Sequence, residues 1–287
     1  MREVSIVGIG QTTVGEHWGR SLRDMAVDAI QAALHDGNTD RVDALYLGNM
    51  LSGELAAQQH LGALVADWAG LGNIEAVKIE AADASGAAAV RMGYLAVASG
   101  MQDVVLVCGA EKITDADAES ANAAWSSGVD AEYEASQGLT MPAVAGLVMR
   151  RYMHEFGVQR EDFAPFAVTA HANGANNPHA MYRRPISAGV YARAGMVADP
   201  VSMFDTAPLC DGSAAVVLCP TERASEFGSK AVRIVASAVA SDRVAVHSRR
   251  DPLSLLAAYL SAQRAYQRAG VGPDDIDLFE LHDAFSI

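Results

Sequence analysis

Val77-Lys78-Ile79-Glu80-Ala81-Ala82-Asp83-Ala84-Ser85-Gly86 decides the fold, because it carries the chain from a strand through a tight turn into a helix. Val77 to Glu80 has strand character, Ala81-Ala82-Asp83 makes the turn, and Ser85 to Ala98 is an Ala-rich run suited to a long helix. Downstream, Val104-Val105-Leu106-Val107-Cys108-Gly109 is the continuous apolar run of a strand in the middle of a sheet. Upstream, Val42 to Leu47 reads as a short strand and about Gln58 to Ala69 as a helix. Further back, Val4-Ser5-Ile6-Val7-Gly8-Ile9-Gly10 is a buried strand ending in glycines. Leu22, Met25, Ala26, Ala29, Ile30, Ala33 and Leu34 recur at helical spacing, with Ser21 as N-cap and Gly37 as stop. Strands alternating with helices predict an α/β layer structure.

From about Thr114 to Pro200 the rhythm breaks into a stretch rich in Ala, Asn, Tyr and Arg, with helical pieces at Pro142 to Phe156 and Phe163 to Asn173. Alternation resumes with the strand Ala214 to Cys219, a helix at about Thr221 to Phe227 and a long strand, Val232 to Ala240. The predicted organisation is a first α/β half over residues 1–113, an inserted helical subdomain over 114–200, completion of that half over 201–245, and the start of a second half over 246–287.

That last division rests on an internal repeat. Ala26–Gly37 followed by Val42 to Asn49 matches Leu256–Gly270 followed by Ile276 to Asp283, with Ala29, Ala32 and Gly37 opposite Ala262, Ala265 and Gly270. Ala-rich helices resemble one another, so the helix alone says little. The ordered recurrence of helix, glycine stop, Asp and strand carries the reading. A lone helix and strand cannot bury a face equivalent to the first half, so a further stretch of chain, or another polypeptide, is expected to complete the second copy.

Composition excludes several function classes. A net charge of −14 argues against a nucleic-acid partner, while leaving room for a local Arg patch to hold an anionic ligand. Cys108, Cys210 and Cys219 show no C-x-x-C spacing, which points to reduced thiols in a cytoplasmic protein rather than disulfides or a zinc site. No apolar run reaches the roughly 20 residues that span a bilayer, and the acid-bearing N-terminus does not read as a signal peptide. Gly8-x-Gly10 lacks the third glycine of a dinucleotide fingerprint.

Seven motifs in order resemble the thiolase superfamily, particularly its archaeal and sterol-carrier-protein branch. They are Val7-Gly8-Ile9-Gly10, Gly48-Asn49-Met50, Glu80 to Gly86, Gly109-Ala110-Glu111-Lys112, His171 to Pro178, Asp211-Gly212-Ser213-Ala214-Ala215 and His282-Asp283-Ala284-Phe285. The resemblance spans the chain and implies a layered α/β/α/β/α fold, here with the C-terminal half incomplete. It also accounts for the repeat, since thiolases are two similar α/β halves.

In that family a thiolate at a helix N-terminus takes an acyl group from a coenzyme A thioester. The helix dipole and free N–H groups lower its pKa and stabilise the oxyanion. The resemblance places Asp83 at this nucleophile position and His282 in the pocket for the thioester oxygen. Ala284 stands where the branch carries a cysteine, and the segments bearing the family's base and second cysteine would lie beyond Ile287. An Asp before a helix also reads simply as an N-cap. Cys108 and Cys210 do not sit at a helix start. His171, Asn177, Arg183 and Arg184 fall where the family covers its coenzyme A. Arg150 and Arg151 share the same basic stretch, and all four arginines read equally as a solvated face paired with acids.

Three functions remain open. The first is an acetyl-coenzyme A acetyltransferase-like acyltransferase impaired by Asp83, with a coenzyme A thioester as substrate and no covalent cofactor. The second is a non-catalytic acyl-coenzyme A-binding or scaffold subunit. The third is a thiolase-like retro-aldol lyase working with a zinc-ribbon/OB-fold partner. The family also implies a homodimer.

Overall fold

The computed structural model describes residues 1–228 and 230–287. In chain order it forms β1 (Val4–Gln11), α1 (Leu22–Asp36), β2 (Ala44–Gly48), α2 (Ser52–Leu55), α3 (Leu61–Trp68), β3 (Glu75–Ile79), α4 (Ser85–Ser99) and β4 (Val105–Glu111). There follow α5 (Ala118–Trp125), α6 (Met141–Phe156), α7 (Ala164–Gly174), α8 (Ala188–Ala192), β5 (Met196–Ala198), β6 (Val201–Ser202), β7 (Gly212–Pro220), β8 (Val232–Ile234) and α9 (Leu256–Ala269). These elements divide into two units. One comprises Met1–Asp117, Cys210–Val239 and Ser261–Val271; the other comprises Ala118–Leu209, Ala240–Leu260 and Gly272–Ile287.

The first unit is built on a mixed sheet of order β3-β2-β4-β7-β1-β8. β2 runs parallel to both β3 and β4, whereas β7 is antiparallel to β4 and to β1. Period-two alternation sends side chains to two separate cores. Leu45, Leu47, Leu106, Cys108, Val217 and Cys219 meet Ala26, Ala29, Ile30 and Ala33 of α1 and Leu61 and Val65 of α3. Ala44, Tyr46, Val105, Val107 and Leu218 meet Ala89 and Val97 of α4. Helix, sheet and helix are thus stacked in the α/β manner expected from the sequence.

Ser21 caps α1 in a reciprocal box with Asp24, as Ser–x–x–acid spacing predicts. The glycines of β1 serve packing of α1. A Cβ on Gly10 would lie 2.2 Å from the Ala29 carbonyl oxygen, and one on Gly8 would lie 2.3 Å from that of Ala33.

Three expected elements differ. The strand expected over Val232 to Ala240 pairs with β1 only at Val232–Ile234, opposite Val4–Ile6. Beyond that rung Val235 and Val239 are exposed, so no partner extends the ladder. The helix at Thr221 to Phe227 is a 3₁₀ turn over Thr221–Glu226. The strand expected at Ile276 to Asp283 does not form: Leu278 and Leu281 are 83% and 71% exposed, and among the described residues no strand ladder includes this stretch. A strand needs a neighbour to satisfy its backbone groups, and an isolated apolar run leaves them to water.

The second unit is mainly helical. Ala145 and Met149 of α6, Ala164 and Ala167 of α7, Phe163, Tyr191 of α8 and Val201 form its core. β5 and β6 make a short antiparallel pair. The final segment joins this core: Ala207 N–H donates to Ala284 O (2.8 Å), Ser286 N–H donates to Asp205 O (2.8 Å), and Phe285 stacks on Trp125 at 5.8 Å. Among the described residues no helix is long and apolar enough to cross a membrane.

Candidate active site

β3 and α4 place Asp83 on an elbow. Ala82 adopts a left-handed conformation (φ 48°), a strained geometry for a residue with a Cβ. Ser85 holds the turn closed: its Oγ accepts from Ala81 N–H (2.9 Å) and donates to Ala82 O (2.6 Å). The N-cap of α4 is Ala84, without a side-chain cap bond, so Asp83 lies one residue outside the helix rather than at its N-cap. Its side chain is exposed.

The elbow is wedged against the ends of two neighbouring strands. A Cβ on Gly48, the last residue of β2, would sit 2.5 Å from the Ser85 carbonyl oxygen and 2.8 Å from Gly86 Cα. Only a glycine lets the first turn of α4 come so close to the sheet.

Past Gly48 the chain is held by Glu111. Its carboxylate accepts from Asn49 Nδ2 (2.7 Å), Met50 N–H (2.9 Å) and Leu51 N–H (3.2 Å). Asn49 is itself buried, donating also to Ala110 O (2.9 Å) and accepting from Ser52 N–H (3.0 Å). On the other side Asn49 N–H donates to Ile79 O (3.2 Å), and Lys78 Nζ donates to Ser52 Oγ (3.0 Å). Burial pushes the Glu111 carboxyl up, while these donors pull part of the way back.

Asp211, fully buried, organises the chain just beyond Glu111, where β4 ends and β7 begins. It accepts from Ile113 N–H (2.8 Å), Thr114 N–H (2.9 Å), Thr114 Oγ1 (2.6 Å), His17 N–H (3.0 Å) and Lys112 Nζ (3.0 Å). Burial disfavours its charge, but the donors of Thr114, His17 and Ile113 outweigh it and hold the carboxyl well below the usual carboxylate range.

The cysteines are unsuited to take over at Asp83. Burial pushes the Cys108 and Cys219 thiols up to about 11, and burial with the Asp211 charge raises Cys210. Cys108 packs in the core beneath α1, and Cys219 lies buried in β7.

In the second unit His171, Arg183 and Arg184 line one open cleft of about 210 Å³, together with Met181, Tyr182 and Ile186. His171 Nδ1 bonds to Arg184 O (3.1 Å), and its ring stacks on Tyr182 at 6.1 Å. Asn177 is not among the lining residues; its Oδ1 accepts from His179 N–H (2.9 Å). The four arginines separate into two kinds. Arg150 pairs with Asp199 and Arg151 with Glu155, the solvated-face pattern, whereas Arg183 and Arg184 have no carboxylate partner among the described residues. His282 is an exposed residue of the second unit, two positions before the ladder to Ala207 begins.

Glu111, Lys112 and Asp211 were visible in the sequence only as parts of motifs, with no role attached. Asp205, which gathers Ser202, Tyr191 and Ser286 around one buried carboxylate, carried no signal.

Residues 4–222 match the family model for the thiolase N-terminal domain, and residues 238–287 match the thiolase C-terminal domain-like model. The chain belongs to the thiolase family. Among thiolase relatives, an acetyl-CoA acetyltransferase from Methanothermobacter thermautotrophicus is 42% identical over 289 residues, covering 100% of this chain and 75% of that protein. A 17-hydroxy-3-oxo-4-pregnene-20-carboxyl-CoA lyase from Mycobacterium tuberculosis is 29% identical, covering 99% and 76%. Among solved structures, an Ltp2-ChsH2(DUF35) aldolase superposes with a TM-score of 0.82 at 28% identity, over 99% of this chain and 74% of that one.

Proposed function

We propose that this thiolase-family chain handles coenzyme A thioesters in acetyl-CoA C-acetyltransferase-like chemistry, Claisen condensation or thiolysis, and that Asp83 impairs the acyl-enzyme route. The observation that carries this reading is the exposed Asp83 on a strained elbow at the start of α4, where the family's acyl-accepting cysteine is expected. Attack by its carboxylate on a thioester would form a C–O bond, break the C–S bond and release the coenzyme A thiolate. The product is a mixed anhydride, higher in energy than the thioester. A carboxylate here also sets negative charge at the helix end that would otherwise stabilise an oxyanion. On this reading His282 contributes to the thioester-oxygen pocket, and His171, Arg183 and Arg184 cover the nucleotide, with Asn177 in the adjoining turn. The protein would act in the cytoplasm as a homodimer, for which the open edge of β3, with Val77 exposed, supplies unpaired backbone groups.

A second reading, retro-aldol cleavage of a β-hydroxyacyl thioester with a zinc-ribbon/OB-fold partner, is favoured by the similarity to the Ltp2-ChsH2(DUF35) aldolase. Incubation with labelled acetyl-coenzyme A separates the mechanisms. No acyl adduct should form on the protein as it stands, and the Asp83→Cys variant, in a chain completed with the segments that bear the family's base and second cysteine, should acquire one, together with thiolysis of acetoacetyl-coenzyme A. An adduct on Asp83 itself would overturn the mechanism. A folded variant of that completed chain without adduct or turnover would overturn the acyltransferase reading, and cleavage of a β-hydroxyacyl thioester only with the partner present would establish the second.

A further inference from the structure

We infer that Glu111 is a positioning residue for the Asp83 elbow, acting through the segment Gly48–Ser52 that it ties to the end of β4. The inference rests on Asp83 being the position that meets the substrate. The path is continuous and lies within the first unit. The Glu111 carboxylate takes three donors from Asn49, Met50 and Leu51, fixing the chain directly after β2. The same segment is tied to β3 by Asn49 N–H to Ile79 O and by Lys78 Nζ to Ser52 Oγ. Gly48, at its root, is in backbone contact range of Ser85 and Gly86, the first turn of α4. Ser85 in turn closes the Ala81–Ala82 turn that sets the direction of Asp83.

Two features make this more than local packing. The elbow is strained at Ala82, and a left-handed alanine persists only where its surroundings over-determine it. The neighbours that do so are Ser85 from within and Gly48 from outside, and Gly48 is the last residue of the strand whose exit Glu111 secures. A half-buried carboxylate that accepts from two successive backbone N–H groups is also a stiffer restraint than a neutral acceptor, because charge-assisted bonds are about twice as strong. Releasing it should let the Gly48–Ser52 segment, and with it the seat of the elbow, relax.

The test uses the elbow as its own reporter. In an Asp83→Cys, Cys210→Ser background, Glu111 is compared with Glu111→Gln and with the milder Glu111→Asp, which keeps the charge but shortens the reach. Amide exchange at Met50 and Leu51 reads the latch, and the pH profile of iodoacetamide alkylation at the introduced thiol reads the elbow. Glu111→Gln should speed exchange at both amides by about tenfold or more, the scale of a lost charge-assisted bond. It should also move the inflection of the alkylation profile, with Glu111→Asp lying between. Faster exchange with an unmoved profile would overturn the proposal, as would unchanged exchange. If Glu111→Gln fails to fold, the same two outcomes are read from Glu111→Asp. No coenzyme A enters this experiment, so its failure is distinct from a failure of the acyltransferase reading, which shows as absence of acyl adduct and turnover.

Discussion

Lys112 and Asp211 form an ion pair with both side chains buried, Nζ to Oδ2 at 3.0 Å, and each is fully occupied by further partners. Lys112 also donates to His17 O (3.1 Å) and reaches Asp115 Oδ1 (3.0 Å), while Asp211 binds the backbone of Ile113, Thr114 and His17. The pair knots the exit of β4 to the start of β7 and to the loop after β1. Removing one partner leaves an uncompensated charge inside the unit. Asp211→Asn should therefore lose about 3 kcal/mol, the lower end for a broken buried pair because Asp115 remains to face Lys112. Urea denaturation at neutral pH checks it.

The same carboxylate predicts a pH dependence. Its folded pKa is depressed, so the folded state binds the proton less readily than the unfolded chain does. That stability is complete above the unfolded carboxylate pKa of about 3.9 and is lost as pH falls through the lower folded value. Acidification below about pH 5 should thus destabilise the protein, and Asp211→Asn should flatten this limb of the curve. An equally steep acid limb in the variant would show that other carboxylates dominate.

Asp205 plays a parallel part in the second unit. Its buried carboxylate accepts from Tyr191 Oη (2.6 Å), from Ser202 N–H (2.9 Å) and Oγ (2.6 Å), and from Ser286 Oγ. Burial, then the Asp205 bond, raises the Tyr191 pKa, so that phenol stays protonated and donating. Ser286→Ala should cost about 1 kcal/mol and expose residues 284–287 to faster amide exchange, whereas Asp205→Ala should cost about 3 kcal/mol by orphaning several donors. Equal effects would mean that Ser286 is the only bond that matters.

These two carboxylates mark where the sequence was legible and where it was not. The α/β order could be read because each strand of the first unit is a short apolar run fenced by turn residues, and the elbow because its strand, turn and helix are contiguous. Asp205 gave no sign, since its donors lie at positions 191, 202 and 286 and only folding brings them together. The repeat shows the same limit from the other side. Ala44–Gly48 and the stretch Ile276 to Asp283 carry similar patterns, yet one is a fully buried strand between two neighbours and the other is exposed and irregular. Hydrophobic pattern states what a segment can do; pairing partners decide whether it does. The arginines proposed to meet coenzyme A split for a related reason, because the sequence could not tell arginines with nearby acids from those without.

Arg183 and Arg184 should be needed for coenzyme A binding and not for folding. Both are exposed and lack carboxylate partners among the described residues, so reversing either charge breaks no internal ion pair. Arg183→Glu or Arg184→Glu should weaken acetyl-coenzyme A binding by at least about tenfold, one charge-assisted phosphate contact, with the melting temperature unchanged. Binding should also weaken with added salt. Calorimetric titration checks both, with Arg151→Glu, already paired to Glu155, as the control expected to retain affinity. Equal losses in the control would indicate a diffuse field rather than a site.

Gly48→Ala tests the seat of the elbow directly. The added Cβ would meet backbone, the Ser85 carbonyl at 2.5 Å, rather than the yielding end of a side chain. Either α4 shifts away from β2 or the strand end moves, and overpacking of this kind costs roughly 1–3 kcal/mol. Stability alone would not identify which gives way. The distinguishing measurement is the amide exchange of Ala84 and Ser85, whose N–H groups bond back to Ala81 and Ala82. A displaced α4 should accelerate both, while a displaced strand end should instead accelerate Asn49, which donates to Ile79. Unchanged exchange at all three, with stability retained, would mean that the close approach of β2 and α4 is not what holds Asp83 in place.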